Sequence, residues 1–157
     1  MEEAVVWSQI ESLYRAKFGH FERVARVITG DRDSAVEAVQ DGFSDALRHA
    51  GQWAGRGRLE GWVWRCVVNR ARKARRRPVF ELPIDEDGAA GGHDHSELVV
   101  RLAALPERQR LVVFLRYFAD LEYREIADAL GIETGTVSAT LHAAHATLRT
   151  GYEEALA

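Results

Sequence analysis

The chain has 157 residues, of which 46% are hydrophobic and 29% charged, a composition typical of folded proteins rather than disordered ones. Its single cysteine, Cys66, excludes an internal disulfide and a cysteine-based metal site and indicates a reducing compartment. The acidic, amphipathic N-terminus and the lack of an apolar run of about 18 residues argue against a signal peptide and a membrane span. We therefore expect a soluble, cytoplasmic protein.

The net charge of −3 is the sum of three unlike segments. Residues 1–77 carry 15 Lys and Arg against 10 Asp and Glu, residues 78–97 carry 6 acidic residues and no basic one, and residues 98–157 carry 6 basic residues against 8 acidic ones. The middle segment also holds two of the three prolines, as linkers often do. This pattern predicts two small domains joined by an acidic, flexible linker, and the predominance of alanine, leucine, valine, arginine and glutamate predicts an all-α chain in which both domains are helical.

The first half is predicted to be helical almost throughout. Gly30 ends the first helix, and Asp31 or Asp33 can cap a second helix over about residues 34–49. Gly42 lies inside this second helix, where glycine costs about 1 kcal/mol relative to alanine.

A loop and a third helix follow. Three glycines within residues 51–57 prevent a stable helix there, so residues 53–58 are expected to form a flexible cationic loop with one tryptophan. The third helix is expected over about residues 59–77 and ends in five arginines and one lysine within eight residues. So many cations in an acidic protein favour a polyanion such as DNA over a solvated helix end.

Trp62 and Trp64 lie on different faces of this helix, and Trp62 is the one expected in the core.

The second half is also predicted to be helical. A short helix over residues 98–105 is ended by Pro106, and a longer apolar helix extends over about residues 107–118. His93 and His95, in the linker before them, would form only a weak metal site, so we expect no metal and no cofactor. The chain has no glycine-rich phosphate loop and no nucleophile motif, so we expect no enzymatic activity.

Residues 123–141 have the pattern of a helix-turn-helix. Ala127 is small where a second helix must cross closely, and Gly131 follows the last turn, where left-handed backbone lets the chain reverse. Val137 lies on the buried face of the next helix. The alternative interpretation is a plain helical hairpin packed for stability.

The segment LPERQRLVVFLRYFADLEYREIADALGIETGTVSATLHAAHATLR, residues 105–149, resembles domain 4 of extracytoplasmic-function sigma factors of the sigma-70 family. The segments GDRDSAVEAVQDGF, residues 30–43, and LEGWVWRCVVNRARKARRR, residues 59–77, resemble domain 2 of that family. The resemblance assigns the three segments of unlike charge to domain 2, a linker and domain 4, in that order. It implies a bacterial sigma factor that directs RNA polymerase to promoters, with core polymerase, promoter DNA and an anti-sigma factor or other regulatory protein as partners.

The resemblance also implies which residues bind the polymerase and the minus-ten element. Domain 2 of the family grips the beta-prime coiled coil, which here would fall to Glu37, Gln40 and Asp41, and domain 4 docks on the beta flap. Asn69 matches a family asparagine that recognises a minus-ten base, and an amide suits that task because it donates and accepts. The residues expected at the minus-ten element are Trp53, Arg56, Arg58, Trp62, Asn69, Arg70, Arg72, Lys73, Arg75, Arg76 and Arg77.

The last helix departs from the family pattern in its charge. Relatives carry Lys and Arg along this helix, whereas no basic residue lies between Thr136 and Leu148 here. Either the helix reads the minus-thirty-five element weakly, or domain 4 has turned to a protein partner such as an anti-sigma factor or activator. The residues expected to contact DNA from the helix-turn-helix are Thr134, Thr136, Ser138, Thr140, His142 and His145.

Overall fold

The computed structural model describes residues 2–53, 55, 57–75 and 100–156, without the side chains of residues 152, 155 and 156. Over these ranges the backbone is helical and contains no strand, which confirms the predicted all-α class. No helix in this part of the chain is long and apolar enough to cross a membrane.

Three helices form the first half: α1 (Glu2–Thr29), α2 (Arg32–Arg48) and α3 (Leu59–Lys73). A single 3-10 turn, Ala50–Gln52, follows α2. The predicted break between α1 and α2 is confirmed, because Gly30 has a φ of 90° and Asp31 caps α2 by accepting the amide of Ser34 at 2.8 Å. The cap lets α2 begin two residues earlier than predicted.

Aromatic side chains fill the core of this half. Trp64 and Phe21 are fully buried and stack with ring centroids 3.9 Å apart, and Phe43 meets Phe21 edge-on. The prediction that Trp62 is the core tryptophan is therefore wrong. Trp64 lies on the α3 face that continues through the buried Val67, Val68 and Ala71, whereas Trp62 lies on a neighbouring, half-buried face.

Gly42 is the point at which α2 and α3 pack backbone to backbone. A β-carbon there would lie 2.6 Å from Cα and 2.9 Å from N of Val67. The glycine inside a helix is thus explained by packing: its cost in helix propensity allows a close crossing that alanine would prevent.

The second half begins, among the described residues, with a helical segment at residues 100–104. It continues with α4 (Glu107–Val113), a π-helical turn (Phe114–Phe118), α5 (Tyr123–Leu130) and α6 (Thr134–Leu156).

The α5–α6 pair has the predicted helix-turn-helix shape. Gly131 adopts left-handed backbone with a φ of 67°, and the amide of Ile132 donates to the carbonyl of Ala127 at 3.0 Å. Val137 is fully buried, as expected. The helix predicted to extend to about Phe118 changes to π-type hydrogen bonding at Phe114.

The two halves pack against each other, with α3 lying on α5. Their buried apolar side chains form one continuous cluster that includes Trp64 from the first half and Ile126 from the second. The predicted linker, residues 78–97, lies outside the described residues. The packing brings the cationic third helix against the first helix of the helix-turn-helix.

Candidate nucleic-acid interface

One face of α3 carries an aromatic ring, an amide and cations. Trp62, Arg65, Asn69, Arg72 and Lys73 recur at intervals of three and four residues, which places them on one side of the helix. Trp62 is half-buried and the other four are exposed. Arg65 was not among the predicted contacts, although its spacing of four residues from Asn69 marks it as a member of this face. We call these five residues the α3 face.

Arg70 is a predicted DNA contact that lies off this face. Its Nε and Nη2 donate to the two carboxylate oxygens of Asp45 at 2.5 and 2.8 Å, a fork that ties α3 to α2. The hydrogen bond from Arg70 holds the pKa of Asp45 below its usual value. Arg70 therefore stabilises the pairing of two helices in this structure.

The loop before α3 is built on glycines in left-handed backbone. Gly55 and Gly57 have φ angles of 74° and 73°, a region that other residues rarely adopt. Trp53 is half-buried, and its indole Nε1 is buried with no hydrogen-bond partner within the part of the chain described. Arg58 is exposed at the end of the loop, and Arg56 lies outside the described residues.

Two predicted DNA contacts, Arg58 and Arg72, donate hydrogen bonds to residues of the second half. Arg58 donates to Glu125 at 2.6 Å and to the carbonyl of Asp120 at 3.0 Å. Arg72 donates to the carbonyl of Leu130 at 3.3 Å.

Arg75 forms an ion pair with Glu107, which adds a further contact between the halves. Two cations of the predicted ridge, Arg72 and Arg75, thus contact the second half while they remain exposed, and Arg76 and Arg77 lie outside the described residues.

The residues predicted to bind the polymerase lie on the outer side of α2. Glu37, Gln40 and Asp41 are all exposed and share one helix face through their spacing of three and four. Gln40 also lines an apolar groove of about 350 Å³ with Tyr14 and Phe43. A polar stripe beside an apolar groove is a surface that a protein partner could contact.

The DNA contacts predicted in the helix-turn-helix are polar side chains without lysine or arginine. Thr134, Ser138, His142 and His145 are exposed, whereas Thr136 and Thr140 are half-buried. The hydroxyl of Thr140 donates to the carbonyl of Thr136 at 2.6 Å, so its proton already has an acceptor within the helix.

His145 is also engaged, because its Nε2 lies 2.8 Å from the hydroxyl of Tyr117. A candidate cation is Arg108, which lines a cleft of about 480 Å³ together with Thr136 and Thr140. Sequence reasoning missed Arg108 because it lies on α4, and only the folding of α4 against α6 brings it beside them.

Comparison with known proteins matches both halves. Residues 13–78 match the family described as Sigma-70 region 2, and residues 95–148 match Sigma-70, region 4. The RNA polymerase sigma-E factor of Streptomyces avermitilis is 32% identical over 152 residues, covering 90% of this chain and 83% of the relative. The ECF RNA polymerase sigma factor SigM of Mycobacterium tuberculosis is 30% identical over 149 residues, covering 88% and 74%. The chain belongs to the extracytoplasmic-function sigma factors.

Membership of this family confirms the function predicted from the sequence, since a sigma factor directs RNA polymerase to promoters. The match to Sigma-70 region 2 lies before the match to Sigma-70, region 4 along the chain.

Two solved structures share the fold of this sigma factor. CnrH, in complex with the cytosolic domain of CnrY, has a TM-score of 0.69 at 18% identity and covers 98% of this chain and 99% of its own. The sigma factor RpoE of Bartonella quintana, in complex with the anti-sigma factor NepR, has a TM-score of 0.68 at 18% identity and covers 92% and 97%. At this identity the similarity concerns the fold alone.

Cys66 is the one nucleophilic side chain within α3. It is half-buried, and burial raises the pKa of its thiol to about 11, which leaves almost no thiolate at neutral pH. No group of three or more His, Cys, Asp or Glu within the described ranges could hold a metal ion. His93 and His95 lie outside those ranges.

Proposed function

We propose that this sigma factor recognises promoters chiefly through its first half, with the α3 face and the 53–58 loop as the surface for the minus-ten element. The observation that carries the proposal is the composition of the α3 face. Arginine and lysine neutralise phosphates, Trp62 offers a ring on which an unstacked base can lie, and the Asn69 amide can pair with a base edge. Arg70 is not part of the α3 face, and its hydrogen bonds to Asp45 hold α3 against α2.

In this proposal domain 2 comprises residues 1–77, the linker comprises residues 78–97, and domain 4 comprises residues 98–157. Glu37, Gln40 and Asp41 bind the beta-prime coiled coil of core polymerase, because an acidic and amide-bearing stripe complements arginines on a partner. Domain 4 docks on the beta flap. The protein acts in the cytoplasm without catalysing a reaction.

A second candidate concerns the helix-turn-helix. In this candidate, domain 4 mainly binds a protein, such as an anti-sigma factor or an activator, instead of the minus-thirty-five element. The observation that favours this candidate is the lack of arginine and lysine over residues 134–148 of α6, where His145 is bonded to Tyr117 and Thr140 to its own helix. Residues 134–148 of this helix carry no arginine or lysine and so lack the commonest guanine contact and most phosphate affinity.

The proposal is tested by run-off transcription and open-complex formation with reconstituted core polymerase. Asn69→Ala is expected to reduce open complexes about 5- to 100-fold, since a good contact to a base edge is worth about 1–3 kcal/mol of discrimination. Gln9→Ala, which removes an exposed amide from α1, is the matched control and should leave the rate unchanged. Open complexes that form normally with Asn69→Ala would contradict the proposal.

The two candidates for the helix-turn-helix are separated in the same assay by changing the promoter. If α6 reads DNA, scrambling the minus-thirty-five element lowers transcription, and Ser138→Ala lowers it on the intact promoter. If the domain mainly binds protein, neither change has an effect, whereas scrambling the minus-ten element still abolishes transcription.

A further inference from the structure

A cleft of about 380 Å³ lies where the ends of α1, α3 and α5 meet α4. Arg72 and Arg75 line it from the last turn of α3 and the residues just after it, and Arg108 and Arg110 line it from α4. Glu107 is the one carboxylate among the described residues of its lining. Four arginines against one glutamate give the lining a net charge of +3, and we call this site the arginine cleft.

Backbone carbonyls fix two of the four guanidinium groups. Nη1 of Arg72 donates to the carbonyl of Leu130 at 3.3 Å, and Nη1 of Arg110 donates to the carbonyls of Ala103 and Leu105 at 3.1 and 3.4 Å. A guanidinium carries five N–H donors, so a bond from one nitrogen of Arg72 leaves donors for a second acceptor. Side chains that are already held in place lose less conformational entropy when a ligand binds.

The cations of the cleft act on one another across the two halves. Burial lowers the pKa of Arg110, the charge of Glu107 opposes this shift, and the charge of Arg75 adds to it. Glu107 forms its ion pair with Arg75, so the carboxylate is already engaged by one of the four arginines. An anion placed among these groups would be attracted by all four cations and would reduce the repulsion between them.

An apolar wall lies beside the arginines. Val27, Ile28 and Leu130 are buried, with 7%, 8% and 9% of their surface exposed, and Leu111 is half-buried. Sites for small molecules combine apolar walls with a few charged groups and occupy about 300–1,000 Å³. The volume of the arginine cleft is at the lower end of that range, which suits a small organic ligand with an anionic end.

We propose that the arginine cleft binds a nucleoside polyphosphate, with its phosphates on the arginines and its nucleoside against the apolar wall. An arginine fork matches phosphate oxygens in pairs, and a single phosphate carries only about −1.5 to −2 charges, so a net +3 favours more than one phosphate. Two of the four arginines come from each half, so neither half contains the complete site. This site goes beyond promoter recognition and does not depend on it.

The first test is isothermal titration of the free, full-length chain at low salt with ADP, inorganic diphosphate or adenosine. ADP is expected to bind one to one with a Kd below about 1 mM and to weaken as salt is added. Diphosphate should bind about five- to tenfold more weakly, as expected if the nucleoside buries about 40–55 Å² of apolar surface. Adenosine should not bind detectably. An absence of ADP binding, or diphosphate or adenosine binding as tightly as ADP, would overturn the proposal.

The second test places the ligand by variants with opposite expected effects. Arg75→Gln and Arg108→Gln, one from each half, should each weaken ADP binding about tenfold, the low end for hydrogen bonds to charged groups, because both side chains are exposed. Glu107→Gln should tighten ADP binding about two- to fivefold, since it removes the carboxylate that competes for Arg75. Arg15→Gln and Glu11→Gln, which make the same charge changes in an exposed pair on α1, are the controls and should bind ADP as the parent does.

The sign of the Glu107→Gln effect separates ligand binding from damage to the fold, because a distorted cleft would bind ADP more weakly in every variant. Glu107→Gln that weakens binding, or arginine variants that behave like Arg15→Gln, would show that ADP does not bind in this cleft.

The third test addresses nucleic acid as the other possible occupant, since Arg72 and Arg75 are also predicted DNA contacts. A mixed-sequence single-stranded DNA oligomer is titrated by fluorescence anisotropy, and Arg108→Gln should affect its binding no more than the control Arg15→Gln does. If Arg108→Gln weakens the oligomer while ADP does not bind the parent chain, the cleft holds a nucleic-acid phosphate and the proposal is wrong. These readouts contain no polymerase and no promoter, so their failure is distinct from open complexes that form normally with Asn69→Ala.

Discussion

Gly42 lies where α2 crosses α3, and replacing it by alanine tests how closely the first half is packed. The added β-carbon would lie 2.6 Å from Cα, 2.7 Å from Cγ2 and 2.9 Å from N of Val67. Since carbon atoms pack at about 3.5–4.0 Å, the two helices must move apart by about 1 Å. Overpacking of this kind costs about 1–3 kcal/mol, against a gain of about 1 kcal/mol from replacing glycine in a helix.

The net expectation for Gly42→Ala is a loss of up to about 2 kcal/mol, equivalent to a fall of up to about 4–8 °C in Tm for a chain of this size. Urea and thermal unfolding followed by circular dichroism measure both quantities. Gly19→Ala, in open space on α1, is the control and should raise stability by about 0.5–1 kcal/mol. If both substitutions stabilised the chain equally, α2 and α3 would not be in backbone contact at Gly42, and the packing argument would be refuted.

Two further predictions concern titratable groups. Burial lowers the pKa of His20 below its usual value of 6.5, so the stability contributed by its neutral ring is complete above about pH 6.5 and is lost as the pH falls through the lowered pKa. His20→Phe keeps a ring on Phe118 and should flatten this part of the profile of urea midpoint against pH, whereas parallel profiles would show that His20 does not contribute. With a thiol pKa of about 11, Cys66 should react with a disulfide reagent at pH 8 about a hundredfold more slowly than in the urea-unfolded chain. Equal rates in the folded and unfolded chains would contradict the burial of that thiol.

Helix order and the helix-turn-helix could be predicted because local chemistry determines them. Gly30, Asp31 and Gly131 act within one or two turns of their own position, through left-handed backbone and through a side-chain cap. Apolar spacing predicted the helices themselves. The structure and the family matches agree with these local features.

Local chemistry could not decide which of Trp62 and Trp64 is buried in the core. Both lie in one amphipathic helix, and the spacing of neighbouring apolar residues allows either face to be buried. The stack of Trp64 on Phe21 decides it, and that contact joins residues 43 positions apart. Long-range packing therefore determined the one core assignment that the sequence analysis got wrong.

The partners of the predicted cations also depended on long-range contacts. Arg70 and Arg72 are neighbours in the sequence, yet one binds Asp45 of α2 and the other a carbonyl of α5. A run of basic residues on a helix points in several directions, so proximity in sequence does not make a surface. Arg65 was missed for the complementary reason, since it stands apart from the run but shares the face of Asn69.

The net charges of the two halves are opposite in sign, which favours the packing of one half on the other. The first half carries a net +5 and residues 98–157 carry −2, so the halves attract each other as a protein attracts nucleic acid. A lysine or arginine added to the side of α5 that faces Arg58 would repel Arg58 and weaken the contact between the halves. The second half carries few cations, with 6 Lys and Arg against 8 Asp and Glu over residues 98–157. That scarcity lowers the affinity of α6 for a promoter, so the proposed function assigns most of the binding to phosphates to the first half.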